Sequence, residues 1–389
     1  MNKRTFLKTL GQGALATMAA PAIWSCQNKT ENLEGENLAP AASNIPGPVK
    51  NWMWIHPGTE RSEDDWKRIF AQMKKAGIDA VLPQVYASKE ALFEHPNPIV
   101  KTEKRVLEML IPLAHEAGLE IHAWMWTMIN NNPKVIEQYP EWYAVSGEGE
   151  PAHEKPAYVP YYRFMCARRE GVQEFVRGNV EALAQFDELD GVHLDYVRLP
   201  DVILAKGLWS KYDIIQDREY PQYDYCYCEV CRRTFKEQSG IDPLTDLEDP
   251  SADEAWRQFR YDGISNLVNG QLVPTAKKYD KQITAAVFPN WEYVRQQWHT
   301  WNLDGFLPML YHSFYEEDIN WIGDEVTAAY ERLRNSNNLK PVYAGLFLPA
   351  LTPEELPQAI ASGMETGAKG ISLFSFNSMK EAHWKGLRK

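Results

Sequence analysis

The segment Gly191–Asp195 combines residue types that could carry out acid–base chemistry. It is a short apolar run that ends in a carboxylate, Asp195, and Tyr196 and Arg198 follow closely. Such a run predicts a β-strand, and the period of two places His193 on the same face as Asp195. An acid at the end of a strand, beside an aromatic residue and a base, is typical of the rim of a barrel active site. The alternative is an acid that caps the next loop.

Cleavage of a glycosidic bond would require a second carboxyl group. One carboxyl protonates the leaving oxygen, and the other attacks the sugar or activates water. Asp195 is the first candidate, and Glu292, after the predicted fifth strand, is the second. Glu292 could equally be the first-turn acid of a following helix, stabilised by its dipole. Glu316, Glu317 and Asp318 are competitors, although they are more typical of an acidic helix N-terminus.

Aromatic, amide and imidazole groups lie near the other predicted strand ends. Rings offer stacking faces for sugars, and amides and acids bind hydroxyl groups. The predicted substrate-binding residues are His56, Gln84, Tyr86, Trp124, Trp126, His193, Tyr196, Arg198, Asn290, Tyr311, His312 and Asn377. His193 is expected to point into the barrel beneath Asp195, either to tune the pKa of that acid or as a satisfied core histidine.

A cysteine cluster lies in the long segment after the predicted fourth strand. Cys226, Cys228 and Cys231 fall within six residues, in a chain that has 5 cysteines. Zinc prefers thiolates at such close spacing, and the fourth ligand could be Cys166, a histidine or Asp224. A disulfide is one alternative, because an exported protein would meet an oxidising compartment. Free thiols are the other alternative.

Eight apolar, β-rich runs alternate with amphipathic helical patterns. The predicted strands are Trp52–His56, Ile78–Tyr86, Leu119–Trp126, Gly191–Asp195, Ile283–Phe288, Gly305–Tyr311, Pro341–Leu348 and Gly370–Phe376. Helices are predicted over Ser62–Ala76, Lys104–Ala117 and Glu170–Phe186, and another begins near Thr352.

This alternation predicts a (β/α)₈ TIM barrel. A doubly wound open sheet is the alternative, but no glycine-rich phosphate loop follows the first strand. The connections 127–169 and 199–252, after strands three and four, are unusually long. Long loops at the C-terminal rim of a barrel usually carry function.

The N-terminus has the pattern of an export signal. Lys3, Arg4 and Lys8 precede a short apolar stretch, and the lysine–arginine pair resembles a twin-arginine signal in which Lys3 replaces the first arginine. The segment Ile23–Cys26 resembles a lipoprotein cleavage box, and simple signal-peptidase cleavage is the alternative. The predicted organisation is a signal over 1–25, a flexible tether over 26–48 and a barrel catalytic domain over 49–389.

The length, composition and net charge of the chain limit the fold and the binding partners that it can have. A chain of 389 residues with 44% hydrophobic residues is long enough for a barrel of roughly 250 residues. The net charge of −12 and the absence of a basic patch argue against nucleic acid. The oligomeric state is left open.

Several motifs resemble the glycosyl-hydrolase-like 10 family. The segment Asp190–Pro200 resembles the strand-four signature of that family, and Gln297–Trp301 followed by Asp304–Tyr311 resembles its strand-six region. The tryptophan-rich third strand followed by Pro140–Trp142 also fits. The cysteine segment is similar to a cysteine loop in related glycosidase-like proteins.

The resemblance spans roughly residues 48–389 and implies a TIM barrel, a surface or periplasmic lipoprotein and glycan hydrolysis. Asp195 transfers most securely as a functional residue, with Tyr196 and Arg198 as its neighbours. One motif departs from the family: Pro308-Met-Leu-Tyr311 stands where the family often has Pro-Gln-x-Tyr.

The sequence therefore predicts an exported glycoside hydrolase, held in the cell envelope by lipidated Cys26, that acts on a poly- or oligosaccharide without a catalytic cofactor. One rival is a glycan-binding lipoprotein that does not cleave. The other is a metal-dependent hydrolase that uses His56, His193 or His312 with Asp195. The histidines lack an HxH or HExxH spacing, which counts against this rival.

Overall fold

The computed structural model describes residues 45–387, and its centre is a barrel of eight parallel strands. The strands are β1 Trp52–Ile55, β2 Ala80–Tyr86, β3 Glu120–Trp126, β4 Gly191–Asp195, β5 Gln282–Val287, β6 Gly305–Pro308, β7 Ala344–Phe347 and β8 Ile371–Phe374. Successive strands pair from β1 to β6, β7 pairs with β8, and β8 pairs with β1. The predicted (β/α)₈ barrel is confirmed.

The barrel closes between β6 and β7 through two isolated parallel bridges. Phe306 pairs with Val342, and Met309 pairs with Gly345. A Cβ atom at Gly345 would collide with the carbonyl oxygen of Pro308, so glycine permits this close approach. The closure is short because β6 ends at Pro308, three residues before the predicted end at Tyr311.

Helices surround the strands. They are α1 Glu63–Lys75, α2 Val106–Glu116, α3 Pro133–Gln138, α4 Glu170–Ala184, α5 Trp209–Tyr212, α6 Glu229–Ser239, α7 Glu254–Leu267, α8 Val273–Lys277, α9 His312–Tyr315, α10 Trp321–Asn335, α11 Leu356–Glu365 and α12 Glu381–Leu387. No described helix is long and apolar enough to cross a membrane.

Local sequence explains how α1 begins and how it packs. The Ser62 hydroxyl accepts the backbone N–H of Asp65 at 3.2 Å, and the Asp65 carboxylate accepts the backbone N–H of Ser62 at 3.1 Å. This reciprocal pair is a capping box. Trp66, Phe70 and Met73 recur at helical spacing and are buried, which fixes α1 against the barrel.

Two layers of apolar side chains build the core. Inside the barrel, a cluster that includes Trp52, Trp54 and Trp124 fills the space between the strands. A larger cluster packs between the outer faces of the strands and the helices. Because the interior is filled, a cavity formed by the strands must lie at an end of the barrel rather than along its axis.

The two long connections are ordered and packed. The first, 127–169, contains α3, and the second, after β4, contains α5 and α6. Buried residues occur throughout both connections. The predicted signal, the predicted lipidation site at Cys26 and nearly all of the predicted tether lie outside the described residues.

Candidate active site

A cavity of about 290 Å³ lies at the carboxyl ends of the strands. Every strand places a side chain in its lining, either from its own last residues or from the residue that follows. These residues are His56, Gln84, Trp124, Trp126, Asp195, Phe288, Met309, Phe347 and Phe374. Convergence of all eight strand ends on one cavity is the arrangement in which barrel enzymes place their active sites.

Asp195 is held at this cavity by two hydrogen bonds. Its Oδ1 accepts the backbone N–H of Tyr196 at 2.7 Å, and its Oδ2 accepts Nε1–H of Trp124 at 3.0 Å. Burial raises the pKa of Asp195 to about 6, against the lowering effect of the two hydrogen bonds and of Arg198. A carboxyl group with this pKa can hold and release a proton near neutral pH.

The elevated pKa of Asp195 predicts a pH-dependent stability. The folded pKa of about 6 exceeds the usual 3.8, so the folded state binds this proton more tightly than the unfolded chain. The stabilisation is fully present below about pH 4 and is lost as the pH rises through 6. We expect the free energy of unfolding of wild type, relative to Asp195→Asn, to fall by about 2 kcal/mol between pH 4 and pH 8. Urea denaturation measures this difference, and a constant difference would contradict the assigned environment.

Arg198 is a buried cation whose charge is balanced inside the protein. Its Nη1 donates to Oδ2 of Asp201 at 3.0 Å, and its Nη2 donates to the Tyr162 hydroxyl at 3.3 Å. The guanidinium also packs over the rings of Tyr196 and Phe288, at 5.1 and 4.7 Å from their centroids. The contacts indicate that Arg198 orients the cavity wall and is not a free anion-binding group.

Two hydrogen-bond donors in the lining have no partner among the described residues. Oε1 of Gln84 accepts a hydrogen bond from Nδ1–H of His56 at 3.1 Å, but Nε2 of Gln84 has no partner among the described residues. Nε1 of Trp126 is likewise unpaired. Burial lowers the pKa of His56, which favours the neutral imidazole. Buried donors without partners cost free energy, so a ligand oxygen at these positions would be stabilising.

Eight residues predicted from the sequence lie in the lining. They are His56, Gln84, Trp124, Trp126, Asp195, Tyr196, Arg198 and Tyr311. The sequence predicts their proximity because each lies near the carboxyl end of a predicted parallel strand. Their proximity is a structural fact, whereas their roles in binding or catalysis stay predictions.

His193 lies one layer below the cavity and does not line it. It accepts Nε1–H of Trp54 at 3.2 Å through Nε2, and its Nδ1 shares a hydrogen bond with the Thr284 hydroxyl at 2.9 Å. Burial lowers the pKa of His193 to about 3. The structure therefore favours the satisfied core histidine over a substrate ligand. The two-residue period of the strand indicated that His193 faces the barrel interior, but it did not indicate that the side chain lies below the cavity.

Four other predicted binding residues also lie outside the lining. Asn377 exchanges hydrogen bonds with the backbone of His56, at 2.9 and 3.1 Å. Asn290 accepts the hydroxyl of Tyr315, which does line the cavity, at 2.9 Å. Tyr86 is buried in the outer core, and His312 is half-buried at the start of α9. Asn377 and Asn290 can therefore act only through the residues they hold.

Glu292 is not brought to Asp195 as a lining partner. It lies in a short 3₁₀ helix, Trp291–Val294, and its side chain is exposed. The carboxyl groups in the lining belong to Asp195 and Asp201. The chain turns away from the cavity after Phe288, because Gln296 binds the Phe288 N–H at 2.9 Å and folds this segment back on the barrel. Strand order alone cannot predict that turn.

Residues from the loops complete the cavity and were not singled out from the sequence. The lining also contains Tyr161, Tyr162, Asp201, Leu204, Ala205, Leu208, Lys211, Tyr212, Phe314 and Tyr315. Most lie on the two long connections, whose length was the one available signal. The adjacent tyrosines at 161 and 162 could have been noticed as a stacking surface, but nothing in the sequence shows which way they face.

The cysteine cluster gains its fourth member from the other loop. Sγ of Cys166 lies 3.4 Å from Sγ of Cys231 and 3.6 Å from Sγ of Cys228. These three and Cys226 are buried, and all four sulfur atoms lie within 4.8 Å of one another. Asp224, a predicted alternative ligand, instead pairs with two arginines. This is a group that could hold a metal ion.

The barrel and its strand-end cavity place the protein among the TIM-barrel proteins. Comparison with solved structures finds TIM-barrel glycosidases: a β-amylase catalytic domain from Paenibacillus polymyxa (11% identity, 88% of this chain, 98% of that chain, TM-score 0.61) and a β-galactosidase from Halorubrum lacusprofundi (12%, 87%, 57%, 0.61). An α-L-fucosidase isoenzyme from Paenibacillus thiaminolyticus also matches (12%, 88%, 48%, 0.54). The chain thus spans about half of the last two structures, and at this identity the likeness concerns the fold.

The sequence model of the family described as glycosyl hydrolase-like 10 matches residues 67–362. The match covers more than half of the chain, and the protein belongs to this family. The resemblance inferred from the strand-four and strand-six motifs is thereby confirmed. No curated protein matches the sequence.

Proposed function

We propose that the protein hydrolyses glycosidic bonds in an extracytoplasmic oligo- or polysaccharide and that Asp195 is the general acid. The observation that carries the proposal is the position of Asp195, a carboxyl group with a pKa of about 6, in an aromatic cavity formed by all eight strand ends. A protonated carboxyl can donate to the glycosidic oxygen as the C1–O bond breaks. Water then forms the new bond to C1 and returns a proton to the carboxylate, which leaves a free alcohol and a new reducing end. Family membership and the glycosidase folds of similar structures support the same reaction class.

The lining suits a neutral polyhydroxylated ligand. Trp126 and Tyr161 offer ring faces, and the unpaired donors of Gln84 and Trp126 can bind ligand oxygens. The charge of Arg198 is already balanced by Asp201. A phosphorylated ligand would call for free cations, and Lys211 is the lining residue that offers one.

A second candidate function is glycan binding without cleavage. Asp201 is the other carboxylate of the lining, and it is held in a buried ion pair with Arg198. A cavity whose second carboxylate is engaged in this way also suits a protein that holds a sugar without attacking it. Digestion of a glycan panel by wild type and Asp195→Asn separates the two functions.

We propose that the reaction itself needs no cofactor. We also propose that the four cysteines bind zinc and that this zinc has a structural role. Within residues 45–387, they are the group of histidine, cysteine or acidic side chains close enough to hold a metal. His56 and His193 bind Gln84 and Trp54 instead. A metal-dependent hydrolase built on these histidines is therefore not proposed.

The site of action is also part of the proposal. The basic and apolar pattern of residues 1–25 and the sequence Ile23-Trp-Ser-Cys26 support export and lipid attachment at Cys26. The barrel would then face glycans of the cell envelope or its surroundings. Labelling of the expressed protein with a radioactive or clickable fatty acid tests the attachment, and label retained in Cys26→Ser would contradict it.

The proposed activity is tested by digestion of a glycan panel. Full-length wild type, Asp195→Asn and Glu292→Gln are incubated with envelope and plant polysaccharides, and new reducing ends are identified by mass spectrometry. We expect wild type and Glu292→Gln to release the same products at rates within about twofold, and Asp195→Asn to release at least a hundredfold less. Glu292 is the matched control, because it is a carboxylate outside the cavity lining.

Each other outcome has a defined meaning. Undiminished release by Asp195→Asn would remove the central role of Asp195. No release by wild type, together with binding of a glycan that survives Asp195→Asn, would favour the binding protein. Loss of activity in Glu292→Gln alone would restore the paired acid that the sequence first suggested.

A further inference from the structure

The four buried cysteines lie at a junction between the two long connections. Cys166 belongs to the connection after β3, and Cys226, Cys228 and Cys231 belong to the connection after β4. We propose that these four thiolates bind one zinc ion and that this ion links the two loops that form the wall of the cavity. The proposal is independent of the reaction, because it would hold equally for a binding protein.

The geometry matches a closed tetrahedral site. A Zn–S distance of about 2.3 Å gives neighbouring sulfur atoms a separation of about 3.8 Å in a regular tetrahedron. Two of the sulfur separations are 3.4 and 3.6 Å, and all four atoms lie within 4.8 Å of one another. All four residues are at most 3% exposed, so solvent has little access. Four protein ligands leave no open position for water or substrate, which is typical of a structural zinc site.

A disulfide explains this arrangement less well. A disulfide has a sulfur–sulfur distance of about 2.05 Å and would bring two of the four sulfurs together. Here Cys166 lies at nearly equal distances from Cys228 and Cys231, and Cys226 shares the same small space. A metal ion requires four thiols that can all reach one central point. Disulfide bonds do not require such a point, because each joins only two sulfur atoms.

A nearby cation can offset part of the negative charge of a four-thiolate zinc centre. Arg168 interacts electrostatically with the sulfurs of Cys166, Cys226 and Cys231. Its guanidinium is fixed in place, since Nη2 donates to the Phe259 carbonyl at 2.6 Å and the group packs over the Phe259 ring at 3.6 Å. Charged or hydrogen-bonding groups around the ligands commonly tune metal sites.

Direct contacts between the loops surround the cysteines. The backbone N–H of Cys166 donates to the Trp142 carbonyl at 2.8 Å within the first loop. Across the loops, the N–H of Tyr227 donates to the Val145 carbonyl at 2.8 Å, and Ser146 forms an antiparallel bridge with Tyr225. These are isolated pairings rather than a sheet. A metal bond across the junction would therefore supply much of the restraint there.

A continuous set of polar contacts connects this junction with the cavity. Asp224, two residues before Cys226, accepts Nη2–H of Arg295 at 3.0 Å. The segment just before Arg295 binds the start of the second loop, where the N–H of Val202 donates to the Tyr293 carbonyl at 2.7 Å. Asp201, which precedes Val202, lines the cavity.

The two loops also meet directly at the cavity. The Tyr158 hydroxyl of the first loop donates to the backbone carbonyl of Asp201 at 2.8 Å and accepts Nε2–H of Gln216 at 2.8 Å. Tyr161 and Tyr162, next along the first loop, line the cavity opposite residues of the second. Loss of the zinc is therefore expected to loosen the segments 156–164 and 199–217 before it affects the barrel strands.

Metal content gives the first test. Full-length wild type is expressed with zinc and iron both supplied, and elemental analysis is expected to find about one zinc per chain. Titration with a mercurial that modifies thiols should release that zinc stoichiometrically to a colorimetric chelator. Less than a tenth of an equivalent of metal, or iron in place of zinc, would overturn the assignment. So would fewer than four free thiols after unfolding of the wild type without reductant in the presence of a chelator.

Hydrogen–deuterium exchange gives the second test. We compare Cys231→Ser with Cys26→Ser, a matched control that removes the one cysteine that lies outside the described residues. Cys26→Ser should keep its zinc and the wild-type exchange, whereas Cys231→Ser should lose at least four-fifths of its zinc. In Cys231→Ser, peptides from 156–164 and 199–217 should exchange at least tenfold faster, with peptides from β1 and β8 unchanged.

If Cys231→Ser does not fold, wild type freed of metal by the mercurial provides the same comparison. Exchange that is unchanged at both cavity segments, or equally faster throughout the barrel, would overturn the proposed link between the metal and the cavity wall. This result is readable even if no glycan is ever cleaved, so it separates failure of the zinc proposal from failure of the proposed function.

Discussion

Replacement of Asp195 by asparagine is expected to lower kcat/KM by 10²- to 10⁴-fold for glycosides with poor leaving groups. The amide cannot supply the proton that the departing oxygen needs. Aryl glycosides with a 2,4-dinitrophenyl group leave without protonation, so their kcat/KM should fall less than tenfold. The measurement is kcat/KM for a series of aryl glycosides of the sugar that the panel identifies.

The dependence on the leaving group distinguishes a general acid from a residue with another role. A nucleophile or an essential structural residue would show equal losses for every leaving group, and that result would contradict the acid assignment. The wild-type pH profile provides a second check: activity should decline as the pH rises past about 6, where Asp195 loses its proton. In Asp195→Asn with the activated substrate, that descending limb should disappear.

Replacement of Arg198 by methionine is expected to lower the free energy of unfolding by about 3–5 kcal/mol. The side chains of Arg198 and Asp201 are 3% and 6% exposed, so removal of the arginine leaves a carboxylate buried without its cation. The variant also loses the hydrogen bond to Tyr162 and the packing over Phe288. Urea denaturation at pH 7 measures the effect.

Two further variants make this prediction specific. Asp201→Asn in the Arg198→Met background removes the unpaired charge and should restore part of the lost stability, because the two effects are coupled. Arg68→Met breaks the exposed ion pair with Asp65, in which Arg68 is 77% exposed, and should change stability by less than about 0.5 kcal/mol. Equal losses in Arg68→Met and Arg198→Met would show that burial is not the cause.

Features that depend on residues close together in the chain could be predicted from the sequence, whereas features that depend on distant residues could not. The start of α1 could be predicted because Ser62 and Asp65 form a local capping box that depends on four consecutive residues. Thr352 and Glu355 form the same reciprocal bonds, at 3.2 and 2.8 Å, yet α11 begins at Leu356, after an intervening turn. Local hydrogen bonds are encoded locally, while the first residue of a helix also depends on packing.

The cysteine cluster shows where local encoding ends. The spacing of Cys226, Cys228 and Cys231 indicated a common ligand, because close spacing is itself a geometric constraint. Three possible fourth partners stayed open, and one of them, Cys166, lies 60 residues earlier in the chain. Only the approach of the two loops selects it.

The sequence by itself determined the barrel, the family and the position of Asp195 at a strand end. Each of these follows from a periodic or contiguous pattern: alternating strands and helices, family motifs, and a run of five residues that ends in an acid. Such patterns persist because burial of a strand or a helix face constrains every second or every third to fourth residue.

Only the tertiary structure decided which groups share the cavity with Asp195. It placed Tyr161, Tyr162 and Asp201 in the lining and left the Glu292 side chain exposed outside it. It also moved His193 one layer down, where Trp54 and Thr284 satisfy it. The reason is that loop direction and depth within a barrel are set by long-range packing and hydrogen bonds, such as those of Gln296 and Tyr158, which leave no periodic trace in the sequence.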